Sequence, residues 1–309
     1  MIFPRYLRFL AAGSLTLAAL AFAANLFVDP VGFFGFRHDR FYYVLERETK
    51  ASLARNPKNK ILYFASSIGA ALDPADIDGV RIANVSARGL LPEEILYILK
   101  KHRAQWNTVI IGLDPFSIMY EEVANPTYAD YSIKNVVKHG LSVRSLRWSV
   151  ATLVKGWLGY RPVMTDTGYF IPPWESRGEF GRYNDDKYLG LIERSVSFMK
   201  NPPDRIGIFR EIRDVPLNGG SRAIVFIQPV NEDVLAAMQK DEQIRDFWKR
   251  FKIQLQSVFP DMIDLSESEF SRRENFFPND VGHYKKLVAK EVMLSVLDPS
   301  RADDGATKK

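Results

Sequence analysis

Hydrophobic and polar positions divide the chain into three regimes. Phe9 to Val28 is a run of 20 residues without a charge; as a helix it measures about 30 Å, the thickness of a bilayer's hydrocarbon core. Phe36 to Lys50 then carries apolar residues at helical spacing, which predicts a helix leading away from that run. From Asn59 onward short continuous apolar runs take over: Ile61 to Phe64, Val80 to Val85, Thr108 to Leu113, Ala223 to Ile227 and Met262 to Leu265. Helical stretches separate them. Pro92 to Lys101 opens with a proline and two glutamates, which suit a helix's first turn and the positive end of its dipole. Asn231 is a candidate N-cap for a helix through about Ser257, and a last helix is expected from about Val281 to Leu297.

Apolar strands alternating with helices are the pattern of a parallel sheet buried on both faces. The expected fold class is α/β: a three-layer α/β/α, flavodoxin-like parallel sheet of about five strands, with an N-terminal transmembrane helix and a central lid insertion. The expected boundaries are a membrane anchor at 1–28, a helical connector at 29–57, the α/β domain at 58–298 with its insertion at about 120–217, and a polar tail at 299–309. The insertion is too long for a plain loop in a compact domain, so it carries structure or function of its own. Ser142 to Leu158 within it reads as a helix. Seven of the 13 tyrosines and three of the five tryptophans fall between 120 and 188. That density predicts a lid or partner surface over the carboxyl ends of the strands, with Tyr169, Trp174 and Tyr183 as candidates for binding substrate.

Composition narrows the chemistry. The chain has no cysteine, which excludes disulfide scaffolds, zinc–thiolate sites, iron–sulfur clusters and thiol nucleophiles. Of the four histidines, His38, His102, His139 and His283, no two are spaced as a helical metal pair, so no metal site is expected. No glycine-rich phosphate loop follows the first strand, so no cofactor is expected either. The net charge is 42 − 37 = +5, and residues 1–60 hold nine Lys/Arg against four Asp/Glu, so the rest balances at 33 against 33. The basic excess belongs beside the apolar run and does not describe a nucleic-acid-binding face. Arg5 and Arg8 precede that run, which by the positive-inside rule keeps the N-terminus in the cytoplasm and the remaining chain outside it. Ala21-Phe22-Ala23 offers a small-x-small cleavage site, but the apolar run continues through Leu26-Phe27-Val28, which favours an uncleaved anchor.

Two places carry chemistry. Ser66-Ser67 stands where the first strand ends, and in doubly wound sheets the ligand crevice lies beyond the carboxyl ends of the strands. Alone, a serine there is commonly a helix cap. Near the other end, Asp280 and His283 are three apart at the expected start of the last helix, so their side chains can meet. A carboxylate held against one imidazole nitrogen fixes the tautomer and leaves the other nitrogen to take a proton.

Together these signals resemble the SGNH/GDSL hydrolase superfamily, and within it the membrane-anchored branch that writes Gly-Asp-Ser as Gly-Ser-Ser. Ala65-Ser66-Ser67 takes that place, followed by Asp73-Pro74; Asn84-Val85-Ser86-Ala87-Arg88-Gly89 resembles the second block, Gly112-Leu113-Asp114-Pro115 the third, and Phe226 to Asn231 the fourth-strand segment. The resemblance covers about residues 58–119 and 220–298. It implies Ser67 as nucleophile, His283 as base and Asp280 as its orienting carboxylate. It also implies an oxyanion hole from the N–H groups of Ser67 and Gly89, with Arg88 as a further cation. Asp114 stands where the family carries a donor asparagine, and Ala65 where it carries a glycine. The function so implied is a serine acyl transferase or esterase acting on O-acyl groups of cell-envelope polysaccharide through an acyl-serine intermediate. It would sit in the bacterial cytoplasmic membrane, single-pass, with a periplasmic domain and an integral-membrane acyltransferase as candidate partner. The two departures keep a second reading open: an inactive module that binds a glycan or that acyltransferase.

Overall fold

The computed structural model describes residues 2–35, 40–56, 58–102, 106–120, 132–169, 185–199, 202–278 and 280–298. Its elements in chain order are α1 (Ile2–Val28), β1 (Arg40–Phe41), α2 (Glu46–Arg55), β2 (Ile61–Phe64), β3 (Ile82–Asn84), α3 (Pro92–Lys101), β4 (Thr108–Leu113), α4 (Pro115–Met119), α5 (Ile133–Gly140), α6 (Val143–Trp157), β5 (Met164–Thr165), α7 (Asp185–Ser197), α8 (Ile206–Asn218), β6 (Arg222–Ile227), α9 (Glu232–Lys240), α10 (Glu242–Val258), β7 (Ile263–Asp264) and α11 (Lys286–Leu297). They form two compact units. One comprises Met1–Ser52 and Thr127–Asp166, the other Leu53–Pro126 and Thr167–Lys309.

The larger unit is an α/β layer structure. Its five strands run parallel in the order β3-β2-β4-β6-β7, the flavodoxin-like arrangement. The chain leaves β2 for β3 on one side and returns to β4 on the other. The β2/β4 boundary is therefore the switch point beyond which a ligand crevice opens. Successive side chains of a strand point to opposite faces. Tyr63, Ile110 and Phe226 pack against Val292, Met293 and Val296 of α11 on one face. Leu62, Phe64, Val109 and Ile111, all fully buried, turn to the other. There α8 packs with α3, α10 and β6, and Phe209 meets Phe251 edge-on at 5.7 Å. At the β3 edge, Asn84 N–H donates to Thr167 O at 2.7 Å. Gly168 follows at φ +88°, and a Cβ there would collide with the Asn84 carbonyl.

The smaller unit is built on α1. Over Tyr6–Val28 this is the one helix, among the described residues, long and apolar enough to cross a membrane. Asn25 near its end is fully buried. The Asn25 amide donates to Gly140 O at 2.8 Å and Ser142 O at 3.2 Å, and its carbonyl accepts from the Ser149 hydroxyl at 2.9 Å. The Phe22 ring lies on Gly140 so closely that a Cβ there would collide with it.

Four expectations change. The helix expected over 36–50 begins only at Glu46, because Arg40–Phe41 is drawn into an antiparallel pair with Met164–Thr165; residues 36–39 lie outside the described residues. The single helix expected from Asn231 to Ser257 is two. Asn231 caps α9, then Asp241 takes an extended conformation and caps α10 by accepting from Gln243 N at 3.1 Å and Ile244 N at 3.2 Å. The last helix starts at Lys286, not Val281, since the residues before it pair backward as a loop: Phe276 bridges Tyr284, and Phe277 N–H donates to His283 O at 3.1 Å. Lastly, the long segment between β4 and β6 is shared by both units. α5, α6 and β5 belong with α1, whereas α7 and α8 belong with the sheet, where α8 serves as the crossover helix from β4 to β6. Asp241→Ala removes the α10 cap and is expected to lower the stability of the sheet unit by about 1 kcal/mol in urea unfolding followed by circular dichroism.

Candidate active site

The site assembles at the switch point. β2 ends at Phe64, and the turn that follows presents two serines with different surroundings. Ser66 is buried; its hydroxyl donates to the Asp114 carboxylate and accepts from Ile68 N–H at 3.3 Å. Ser67 is half-buried. Gly69, two residues on, leaves no room for a Cβ, which would meet the Tyr63 hydroxyl and the Ala65 methyl. The Asn84 amide ties this turn to β3 by donating to Gly69 O at 3.1 Å and Leu72 O at 2.9 Å, while its carbonyl accepts from Ser86 N at 2.9 Å. Ala87 N–H donates to Ala65 O at 3.2 Å, which brings the Ala87–Leu90 turn alongside the serines. Arg88 and Gly89 occupy its exposed tip, Gly89 at φ +54°, a left-handed conformation that glycine adopts without strain.

Asp114 follows β4 and is fully buried. Its carboxylate accepts from Ser117 N at 3.0 Å and the Ser117 hydroxyl at 3.1 Å, besides Ser66 and Phe116 N–H. It is the N-cap of α4 and the anchor of Ser66. In each of these bonds the carboxylate is the acceptor. Burial pushes its pKa up, against the pull of those donors. Arg205, itself buried, holds the far end of α4 by donating to Ile118 O at 2.6 Å and Tyr120 O at 2.8 Å, and pairs with Glu93 at 2.9 Å.

Asp280 and His283 lie in the loop before α11. Asp280 Oδ1 accepts from Gly282 N at 2.9 Å and His283 N at 3.0 Å, and Oδ2 meets His283 Nδ1 at 2.8 Å. The backbone bonds lock the carboxylate, and the carboxylate holds Nδ1, leaving Nε2 as the nitrogen for proton transfer. Burial works against a charged His283, but the Asp280 hydrogen bond and charge outweigh it, helped by Asp114 and opposed by Arg88, so its pKa is raised. Burial likewise opposes ionised Asp280; the bonds from His283 and Gly282 prevail and lower its pKa. Among the described residues no hydrogen bond joins Ser67 to His283.

Other links secure the loop. Tyr284 beside His283 accepts from the Tyr63 hydroxyl and donates to Gln228 Oε1 at 2.8 Å; Gln228 in turn donates to Gly112 O at 3.2 Å. Lys286 pairs with Asp73 at 2.9 Å and Asp76 at 3.3 Å, with its ammonium 4.9 Å from the Tyr169 ring centre. Tyr169 is buried, so it supports this pair and is not offered as an open stacking face; Trp174 and Tyr183 lie outside the described residues. Sequence patterning missed Asn84, Ser66 and Lys286 as positioning residues, although the Asp73-Pro74 pair pointed to the loop that Lys286 binds.

The remaining histidines stand apart. His102 is half-buried at the end of α3, with its pKa lowered to about 4 by burial and then by Arg55 and Lys101. His139 stacks on Phe33 at 4.0 Å, and His38 lies outside the described residues. No group of acidic and histidine side chains among the described residues could hold a metal ion. No protein-family model matches the chain, and no curated protein does either.

The raised His283 and lowered Asp280 values set a sign. Their mutual stabilisation is complete below histidine's ordinary pKa and fades as pH rises through the raised one; on the acid side it fades as pH falls through the lowered Asp280 value. Asp280→Asn is expected to move the His283 titration, followed by the imidazole NMR signals, to lower pH. An unmoved midpoint would mean that the pair is not formed in solution.

Proposed function

We propose that the chain is a membrane-anchored serine acyl-transfer enzyme with Ser67, His283 and Asp280 as its catalytic residues. The observation that carries this reading is the Asp280–His283 pair at 2.8 Å, set at the end of the sheet where the Ser67 turn lies. Ser66 is engaged by Asp114, so Ser67 is the serine left for chemistry. In the first half-reaction Ser67 Oγ attacks the acyl carbonyl carbon and His283 Nε2 takes the hydroxyl proton. The N–H groups of Ser67 and Gly89 stabilise the oxyanion, with the Arg88 charge nearby. Collapse expels the donor alcohol, which recovers the proton from His283, and leaves an acyl-serine. A glycan hydroxyl or water then gives its proton to His283 and attacks the ester carbonyl, and as the bond to Ser67 Oγ breaks His283 returns that proton to Ser67. Closure of Ser67 onto His283 accompanies substrate binding, as catalytic hydrogen bonds commonly tighten in the complex. Losing the family's third oxyanion donor typically costs about 10²–10³ in rate, which fits slow, dedicated acyl transfer better than general esterase activity. The substrate class is O-acyl groups of cell-envelope polysaccharide, reached from the outer face of a bacterial cytoplasmic membrane, with an integral-membrane acyltransferase as candidate acyl supplier.

Asp114 in place of a donor amide favours a second reading, a noncatalytic module that binds the glycan or the acyltransferase. Incubation with an activated acyl ester, followed by peptide mass spectrometry, separates the two. An acylated Ser67 peptide is expected from the wild type and none from Ser67→Ala. Ser67→Ala and His283→Ala are each expected to lower turnover by roughly 10³-fold or more, and the double variant little further, because such residues act as a unit. Robust turnover by folded His283→Ala would refute the assignment. For topology, protease added to intact spheroplasts is expected to digest the sheet unit; full protection would place it on the cytoplasmic side.

A further inference from the structure

We propose that the α5–α6 hairpin lies in the headgroup interface of the bilayer, binding anionic lipid beside the end of α1. The first observation is inverted polarity. The buried positions of α6 are Ser145 and Ser149, while Val143, Val150, Leu153, Val154 and Trp157 are exposed. At 3.6 residues per turn, Val143, Val150, Val154 and Trp157 fall within about 60° of one another on the helix, so they form one stripe. Val143 is 81% and Trp157 86% exposed, and on α5 Ile133 is 84% exposed with Val137 one turn on. A water-facing helix would turn such a stripe inward. Small polar residues packed inward and apolar ones outward are instead the pattern of helices in lipid.

The second observation fixes the depth. Asn25 lies three residues before the end of the apolar run, about 5 Å along a helix. Its side chain binds Gly140, Ser142 and Ser149 directly. When α1 spans a bilayer, the hairpin turn and the middle of α6 must sit at that level, which is where interfacial amphipathic helices lie. The third is charge. Between Ser132 and Arg161 there are six Lys/Arg (Lys134, Lys138, Arg144, Arg147, Lys155 and Arg161) and no Asp/Glu. On α6 Arg144, Arg147 and Lys155 all lie along one side of the apolar stripe, and basic residues near a membrane surface attract anionic lipid at about 1 kcal/mol each. An apolar face for a protein partner would account for the stripe but not for the depth imposed by Asn25 or for the absence of acidic residues.

Because the chain contains no cysteine, single labels are straightforward. Nitroxides on Val143→Cys, Val150→Cys and Trp157→Cys would be compared, in the full chain in nanodiscs without any partner, with Leu17→Cys on α1 and Lys249→Cys on α10. The reading is the ratio of collisions with oxygen, which concentrates in lipid, to those with a water-soluble nickel chelate. At the three hairpin sites it is expected to exceed the Lys249 value severalfold, toward the Leu17 value, and to rise when phosphatidylglycerol replaces part of the phosphatidylcholine. Adding Arg147→Gln and Lys155→Gln is expected to abolish that rise. Ratios at all three sites equal to that of Lys249, with Leu17 lipid-like, would overturn the proposal and leave the stripe as a protein-docking face; a water-like Leu17 would overturn it by removing the span on which it rests.

Discussion

A carboxylate buried at the end of β4 must be hydrogen-bonded where it lies, because an uncompensated buried charge costs several kcal/mol. Asp114 meets that requirement with donors from two directions. Ser117 and Phe116 reach it from its own helix, and Ser66 reaches it from the neighbouring strand's turn. One residue therefore starts α4, binds the β2 turn to the β4 end and engages the Ser66 hydroxyl. The rest of the site hangs from that junction. Asn84 holds the stretch that follows the serines, and the Tyr63–Tyr284–Gln228 chain fastens the histidine loop to the same strands. Lys286 joins that loop to the Asp73 turn at partly exposed groups, where an ion pair contributes geometry more than stability.

Much of the sheet was legible because its strands are continuous apolar runs. Burial on both faces leaves no polar alternation to confuse with a helix, and β2, β4 and β6 fall where Ile61, Thr108 and Ala223 open or nearly open such runs. The Asp280–His283 contact was legible from spacing alone, though for a different local reason: an i, i+3 pair meets equally well across an Asx turn as across a helical one. What stayed hidden depends on partners distant in sequence. β1 exists only because Met164–Thr165 lies beside it. The division of the central segment rests on Asn25 binding residues 115 to 124 positions away. The use of Asp114 as an acceptor required knowing that Ser66 faces it.

That division changes what the middle of the chain means. Its aromatic density suggested one body with one purpose. Instead, α5 and α6 complete the membrane-proximal unit, whereas α8 buries Phe209 and Ile212 in the layer that covers the sheet. The crossover from β4 to β6 is thus an ordinary helical connection with a long excursion placed before it. A parallel sheet can host such an excursion because the strands on either side, Thr108–Leu113 and Arg222–Ile227, pair in full register regardless of how far the chain travels between them.

The crossing of Thr167 and Gly168 beside Asn84 bears on solubility. An open sheet ends in two strands whose outer backbone groups invite another chain to pair with them. At one end, β7 is only two residues long, too short a template to recruit much. At the other, Thr167 O accepts from the backbone N–H of Asn84, and only a residue without a Cβ can lie so close behind it. Gly168 thereby lets a segment of loop guard the rim of the sheet. A bulkier residue there would lift the guard off β3 and expose an unpaired β-edge, so the harm would emerge as self-association between molecules before it emerged as a loss of fold.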